Sequence, residues 1–278
     1  MDSIYGGNMR KSCIFALLAI AFIVLSGSPA RSEHLVIDGT GDSQAVLRKL
    51  AALFEEKNQG VTVEVPNSIG SGGGIKAISR HEIELARTAR PLKKKERNED
   101  LTEILFARSP VVFVASPGSV VNTVSTQQIL DIFSGKIKNW QELGGPDHKI
   151  YPVDREQGDS SRKILSKYMP GFKEIQSVGK VFYTTPETAE AIGLHAFTFG
   201  FVPLSVALEH KLHILSLNRQ VATMKNVKSG TYTLLTPFFL IQSKQSGPLA
   251  RRFVEFVFSP EARDLMVDNG VYPVASRK

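Results

Sequence analysis

The chain has 278 residues, of which 42% are hydrophobic, 22% charged and 8% aromatic. That composition excludes a disordered or collagen-like chain and leaves a globular protein of one large or two ordinary domains. Lysine plus arginine outnumber aspartate plus glutamate by 34 to 27, a formal charge of +7, which hints only weakly at an anionic partner.

Arg10 and Lys11 precede an apolar run from Ile14 to Leu25 that Ser26, Gly27 and Pro29 interrupt. A short basic segment, a short apolar core and then small residues are the layout of a secretory signal peptide, and the core is too short to span a bilayer comfortably. Ala30-Arg31-Ser32 supplies the small residues a signal peptidase reads, so residues 1–32 are expected to be cleaved after Ser32, with Met9 an alternative start. The only cysteine, Cys13, leaves with that segment. It precedes the apolar core, so it cannot be the lipid-acceptor cysteine of a lipoprotein. The remaining chain then has no disulfide, no thiolate metal site and no cysteine nucleophile, which suits an oxidising compartment.

Leu35-Val36-Ile37 is a short apolar run ended by Gly39-Thr40-Gly41-Asp42-Ser43, after which Val46, Leu50, Leu53 and Phe54 recur at helical spacing. Asn58-Gln59-Gly60 stops that helix, and Val61, Val63 and Val65 alternate with polar residues as a second strand. A second glycine turn, Gly70 to Gly74, leads into a short helix over Ile75 to Ser79. Lys93 to Arg97 is a charge run of the kind a solvated helix face carries. Further on come an extended run from Pro110 to Ala115 and a helix over Thr126 to Phe133. A third strand-turn-helix unit has Ile150 to Val153 as strand, Asp154 to Ser160 as turn and Ser161 to Tyr168 as helix. Phe199 to Val202 reads as a strand, Thr231 to Gln242 as a long extended segment and Pro248 to Asn269 as a helix pair. Strands alternating with helices argue for an α/β fold with largely parallel sheets. With no low-complexity linker, two lobes would have to be joined by strands, and the extended runs near 110–116 and 231–241 are the candidates.

All three glycine- and serine-rich turns sit at the carboxyl end of a strand and the amino end of a helix, where open α/β sheets bind ligands. The first turn of each helix presents unpaired N–H groups and the positive end of the helix dipole, which together can hold an oxyanion. Thr40, Ser43, Ser71, Ser160 and Ser161 add short hydroxyl donors, and Arg155 offers one bidentate charge contact. Taken singly, each turn also reads as an ordinary cap; the threefold recurrence is what favours an anion cage. Asp42 and Asp159 hold like positions in the first and third turns. Either they cap their own helices, or they accept a proton that monohydrogen phosphate can donate and sulfate cannot.

These residues resemble the periplasmic phosphate-binding proteins of bacterial phosphate ABC transporters, over about Leu35 to Val274. Ile69-Gly70-Ser71-Gly72-Gly73-Gly74-Ile75-Lys76 is similar to the family's second phosphate loop, with Ser71 on its phosphate-binding serine. Ala89-Arg90-Pro91-Leu92 matches the segment after the next strand, although the family usually has a hydroxyl or an acid where Ala89 stands. Phe133 to Trp140 followed by Leu143-Gly144-Gly145 is a specific match, and Ser259-Pro260-Glu261-Ala262 has its counterpart in the C-terminal helix. Arg155 to Ser161 lies on the loop whose arginine binds phosphate, which places Arg155 in that role. Asp159, Ser160, Asp42 and Arg87 depart from the pattern and add two acids and one base near the expected site: if Arg87 pairs with Asp42 or Asp159 the extra charges cancel and phosphate still fits, and if it does not, a protonated or cationic ligand becomes possible.

The resemblance implies a two-lobed periplasmic-binding-protein fold of type II. Each lobe would be a mixed, mostly parallel sheet flanked by helices: 33–112 with 230–278 as the first lobe and 113–229 as the second, joined by two crossing strands. It further implies a monomeric, periplasmic protein, without cofactor, that closes over phosphate or a related oxyanion and docks on a membrane permease. The expected ligand-binding residues are Thr40, Gly41, Asp42, Ser71, Gly72, Arg87, Arg90, Arg155, Asp159, Ser160 and Ser161. The same module could instead serve sensing or scavenging of another small anionic or zwitterionic ligand, without a transporter.

Enzyme readings fit poorly. Ile69 stands where a nucleophile elbow around Ser71 would need glycine, and Gly72-x-Gly74-x-x-Ala77 is only a loose dinucleotide fingerprint. His210 and His213 form the one close histidine pair and have only Glu209 beside them, so no metal site is expected. The basic residues are interspersed with acids and lack an aromatic stacking pattern, so no nucleic-acid partner is expected.

Overall fold

The computed structural model describes residues 33–275; the expected signal segment and Cys13 lie outside the described residues. The chain opens with β1 (Glu33–Gly39), α1 (Gln44–Lys57), β2 (Val61–Glu64), α2 (Gly70–Ser79) and β3 (Leu85–Thr88), then enters the long strand β4 (Leu101–Ala115). Next come β5 (Thr123–Val124), α3 (Thr126–Phe133), β6 (Tyr151–Arg155), α4 (Ser160–Tyr168), β7 (Lys180–Phe182) and α5 (Thr185–Leu194). The remainder is β8 (Thr198–Pro203), α6 (Leu204–Glu209), β9 (His213–Leu217), α7 (Met224–Lys228), β10 (Leu235–Ser243), α8 (Pro248–Phe256), α9 (Pro260–Asp268) and β11 (Tyr272–Pro273).

The strand order β2-β1-β3-β10-β4-β8-β6-β7 divides along β4. Leu101 to Pro110 of β4 pairs with β10 on the side of β1, β2 and β3, whereas Val111 to Ala115 pairs with β8 on the side of β6 and β7. All the antiparallel pairs involve β4 or β10, and the pairs β1–β2, β1–β3, β6–β7 and β6–β8 are parallel. The topology is therefore two α/β units threaded by two long strands that run against each other. It keeps the carboxyl ends of β1 and β6, with the helices that follow them, on the seam where the units meet.

Each unit has its own core. In the first, Phe54 of α1 packs edge-on to Phe253 of α8 at 5.3 Å between ring centroids, with Leu35, Ile37, Phe106 and Phe238 fully enclosed. The second core is built around Phe113, Phe133, Trp140, Phe199 and Phe201, and Trp140 closes it by donating its indole N–H to the Phe197 carbonyl at 3.0 Å. Ala45, at the start of α1, packs into this second core, so the first lobe's leading helix already touches the second lobe.

One local feature differs from the sequence expectation. The glycines Gly70 to Gly74 form the first turns of α2 instead of a turn ahead of it. Gly74 is required there by proximity, because a Cβ would lie 2.8 Å from the Gly39 Cα. Gly39 itself has φ 141, and a Cβ on it would fall 2.0 Å from the Arg87 carbonyl oxygen. Gly39→Ala is therefore expected to cost about 2–4 kcal/mol, read as a shift in urea midpoint, since neither backbone can move aside without breaking the β1–β3 pairing.

Candidate anion-binding site

The first turn is held by its neighbours before any ligand enters. Thr40 donates its N–H to the Arg87 carbonyl at 3.0 Å, and Asp42 donates its N–H to the Thr40 hydroxyl at 3.3 Å. Ser43 occupies the N-cap position of α1 without a side-chain cap bond. Opposite it, Asp159 caps α4, its carboxylate accepting from the Arg162 N–H at 2.8 Å. The same carboxylate accepts from the Arg155 guanidinium at 2.7 Å, and both side chains are nearly fully enclosed.

Arg155 reaches the first lobe through Thr185. Its Nη1 donates to the Thr185 hydroxyl at 2.8 Å and the Thr188 hydroxyl at 3.3 Å, both on α5. The Thr185 hydroxyl in turn donates to Asp42 Oδ1 across the seam. Gly41 lies beside this contact, and a Cβ on it would sit 2.8 Å from Pro186 Cδ; glycine is what lets the first turn approach α5 so closely. Behind Arg155, a second buried pair, Arg162 with Asp154, makes two contacts of 3.2 Å and holds α4 against β6.

Four buried polar atoms at this seam have no hydrogen-bond partner among the described residues: Asp42 Oδ2, Ser43 Oγ, Arg155 Nε and Ser161 Oγ. Buried polar groups are almost always paired. They are a carboxylate oxygen, two hydroxyls and a guanidinium N–H, two groups contributed by each lobe, which makes one acceptor and three donors or donor-acceptors.

Burial pushes the Asp42 carboxyl up to about 6, and repulsion from Asp159 adds to it; Arg155, Thr185 and Ser161 pull the other way. Ser161 exerts this pull without making a hydrogen bond of normal geometry. Asp159 is also raised, first by burial, with Arg155 opposing. A carboxyl raised above its unfolded value disfavours folding wherever it is charged, and the penalty disappears as pH falls through the folded pKa. For Asp42 the window runs from about 6 down to its ordinary value of 3.8, and on the order of 2–3 kcal/mol is recovered across it. The ligand-free protein is thus expected to melt at higher temperature at pH 5 than at pH 7, with Asp42→Asn flattening that slope.

The other expected ligand residues are distributed differently. Thr40, Ser160 and Ser161 lie in the first and third turns with Asp42 and Asp159. The Ser71 hydroxyl accepts from the Ala89 N–H at 3.1 Å, which ties the start of α2 to the end of β3, and Gly72 next to it is exposed. Arg90 forms a bidentate pair with Glu96, at 2.7 and 2.9 Å, and the hydrogen bond from Arg90 holds that carboxyl down at about 2. Arg87 pairs with neither Asp42 nor Asp159, which is the second of the two alternatives the sequence left open. Its fully buried guanidinium donates to the carbonyls of Ile37, Thr40 and Pro66 and lies 3.6 Å from Asp38. It is the strut of the first turn, held by backbone carbonyls of its own lobe. Thr185 and Thr188 gave no signal in the sequence, because threonine at a helix start is an ordinary cap until the fold sets it against Arg155.

A family model described as PBP superfamily domain matches residues 26–261. The chain belongs to this family. Within the family's range of relatives, it is 28% identical over 265 residues to the phosphate-binding protein PstS of Bacillus subtilis, covering 91% of this chain and 84% of that one. It is 24% identical over 274 residues to PstS of Borreliella burgdorferi, covering 94% and 98%. Among solved structures, a protein from Clostridium perfringens assigned to a phosphate ABC transporter, with bound phosphate, superposes with a TM-score of 0.76 at 24% identity, covering 87% of this chain and all of that one. The two-lobed fold is shared with these PBP-family structures.

Proposed function

We propose that this protein captures phosphate between its lobes outside the cytoplasmic membrane and delivers it to the permease of an ABC transporter, as a monomeric binding protein and not an enzyme. The lobes in this reading are 33–112 with 230–278, and 113–229. The observation that carries it is the unpaired shell of Asp42 Oδ2, Ser43 Oγ, Arg155 Nε and Ser161 Oγ. A monohydrogen phosphate can donate its O–H to Asp42 while its other oxygens accept from Arg155, Ser43, Ser161 and the N–H groups at the starts of α1 and α4. Sulfate has no proton for Asp42, whose free lone pairs would repel it. The names of the relatives point to the same ligand. Thr185 fixes the geometry: its single proton goes to Asp42 Oδ1 while Arg155 donates to its oxygen, so Asp42 Oδ2 is left as a pure acceptor. The buried seam requires the lobes to part for the anion to enter, by bending of β4 and β10, and to close again on it.

Isothermal titration of protein freed of ligand by unfolding and refolding tests this, against phosphate and sulfate at neutral pH. Saturable phosphate binding with one site and no sulfate heat is expected. Silence toward phosphate would overturn the assignment.

A further inference from the structure

A cavity of about 910 Å³ opens in the second lobe, away from the seam between the lobes. It exists because β7 pairs with β6 only from Val153 onward, where Val153 faces Lys180, so the stretch Tyr151–Pro152 has β8 on one side and no strand on the other. The ends of α3 and α5 wall the resulting gap, and the Val178 N–H donates to the Phe133 carbonyl at 2.9 Å to hold one wall in place. Ile132, Ile150, Val153, Phe182 and Ala191 form an apolar lining. At the mouth, Tyr151, Val178 and Leu194 are 50%, 60% and 73% exposed.

The charged side chains on this lining are of one sign. Lys138, Lys149 and Lys180 contribute to it, and no carboxylate does. The Lys149 ammonium lies 5.3 Å from the Tyr151 ring centroid and that of Lys180 lies 4.9 Å from the Phe182 ring centroid. Their stems therefore run along the apolar wall and present the ammonium groups near the rings. A volume in the range of small-molecule sites, about 300–1,000 Å³, with a hydrocarbon interior and only cations beside it, is complementary to a molecule with an apolar tail and one anionic head. The three lysines are exposed at the rim, where they would attract an anionic head and repel an alkyl cation.

We propose that this cavity is a second binding site, separate from the cleft, for a medium-chain alkyl carboxylate, with the chain between the ends of α3 and α5 and the carboxylate among Lys138, Lys149 and Lys180. The inference does not depend on the phosphate reading, since none of these residues contributes to the seam. It is tested by titrating the protein with decanoate, below its micelle threshold, in saturating phosphate, with decyltrimethylammonium as the charge-reversed probe. Saturable binding of one decanoate and none of the cation is expected. The Lys149→Glu/Lys180→Glu double variant should bind decanoate about tenfold more weakly or worse, and Ala191→Trp, which fills the cavity, should abolish binding. Both should titrate with phosphate as the unaltered protein does, which also shows that they fold. No saturable decanoate binding, equal binding of the cation, unchanged affinity in the lysine variant, or association with anionic phospholipid vesicles in place of free decanoate would each overturn the proposal.

Discussion

Arg155→Ala should silence phosphate titration and destabilise the fold at neutral pH, and the second effect should weaken on acidification. The guanidinium is the one cation in direct contact with Asp159, and through Thr185 it reaches Asp42. A charge-assisted contact to an oxyanion is worth on the order of 2 kcal/mol or more, so binding should weaken by at least about thirtyfold. The larger consequence is structural: removing one member of a buried pair leaves an uncompensated charge, at a cost of about 3–5 kcal/mol. Two carboxyl groups already raised by burial would lose the group that opposes the rise. Because a raised carboxyl is penalised only while ionised, the variant's urea midpoint should recover as pH falls from 7 toward 5. Unaltered phosphate affinity in a folded variant would remove Arg155 from the site.

Asp42→Asn should collapse the discrimination between phosphate and sulfate. In the unaltered chain, Oδ1 is held by Thr185 and Oδ2 is free, so the position can only accept. An amide there offers a donor N–H in nearly the same volume, which suits a fully deprotonated oxyanion and no longer requires a ligand proton. Phosphate should weaken by about 1.5–3 kcal/mol, the range for a hydrogen bond to a charged group, while sulfate binding appears where there was none. Competition titrations of the two anions read the ratio directly; a ratio identical to that of the unaltered protein would return Asp42 to a purely structural role.

Both expectations rest on residues visible in the chain before any folding. Gly41, Asp42, Arg155, Asp159 and Ser161 stand out because local chemistry marks them: small and hydroxyl residues at strand-to-helix turns expose backbone N–H groups, and that signal spans only a few positions. The alternating strands and helices were legible for the same reason, since hydrophobic period is a local property. The helix Thr126–Phe133 falls where its pattern places it, capped by Ser125 and Gln128. The glycine run Gly70–Gly74 was less transparent. Glycine has weak helix propensity, and only the packing of Gly74 against Gly39 makes a helix there the better solution.

The α/β pattern, the strand-to-helix turns that can hold an anion and the acids within them are thus local properties of the chain. Tertiary structure alone decided which charges meet. Arg87 and Arg155 are alike as sequence, each a basic residue at the end of a short strand. The fold surrounds Arg87 with the carbonyls of Ile37, Thr40 and Pro66, and surrounds Arg155 with the side chains of Asp159, Thr185 and Thr188. Residues 143 positions apart, Asp42 and Thr185, are joined by one hydrogen bond. Contacts at such separation come from the pairing of β4 with both sheets, and no local pattern encodes them, because side-chain charge is satisfied by whatever the long-range topology brings within hydrogen-bonding distance.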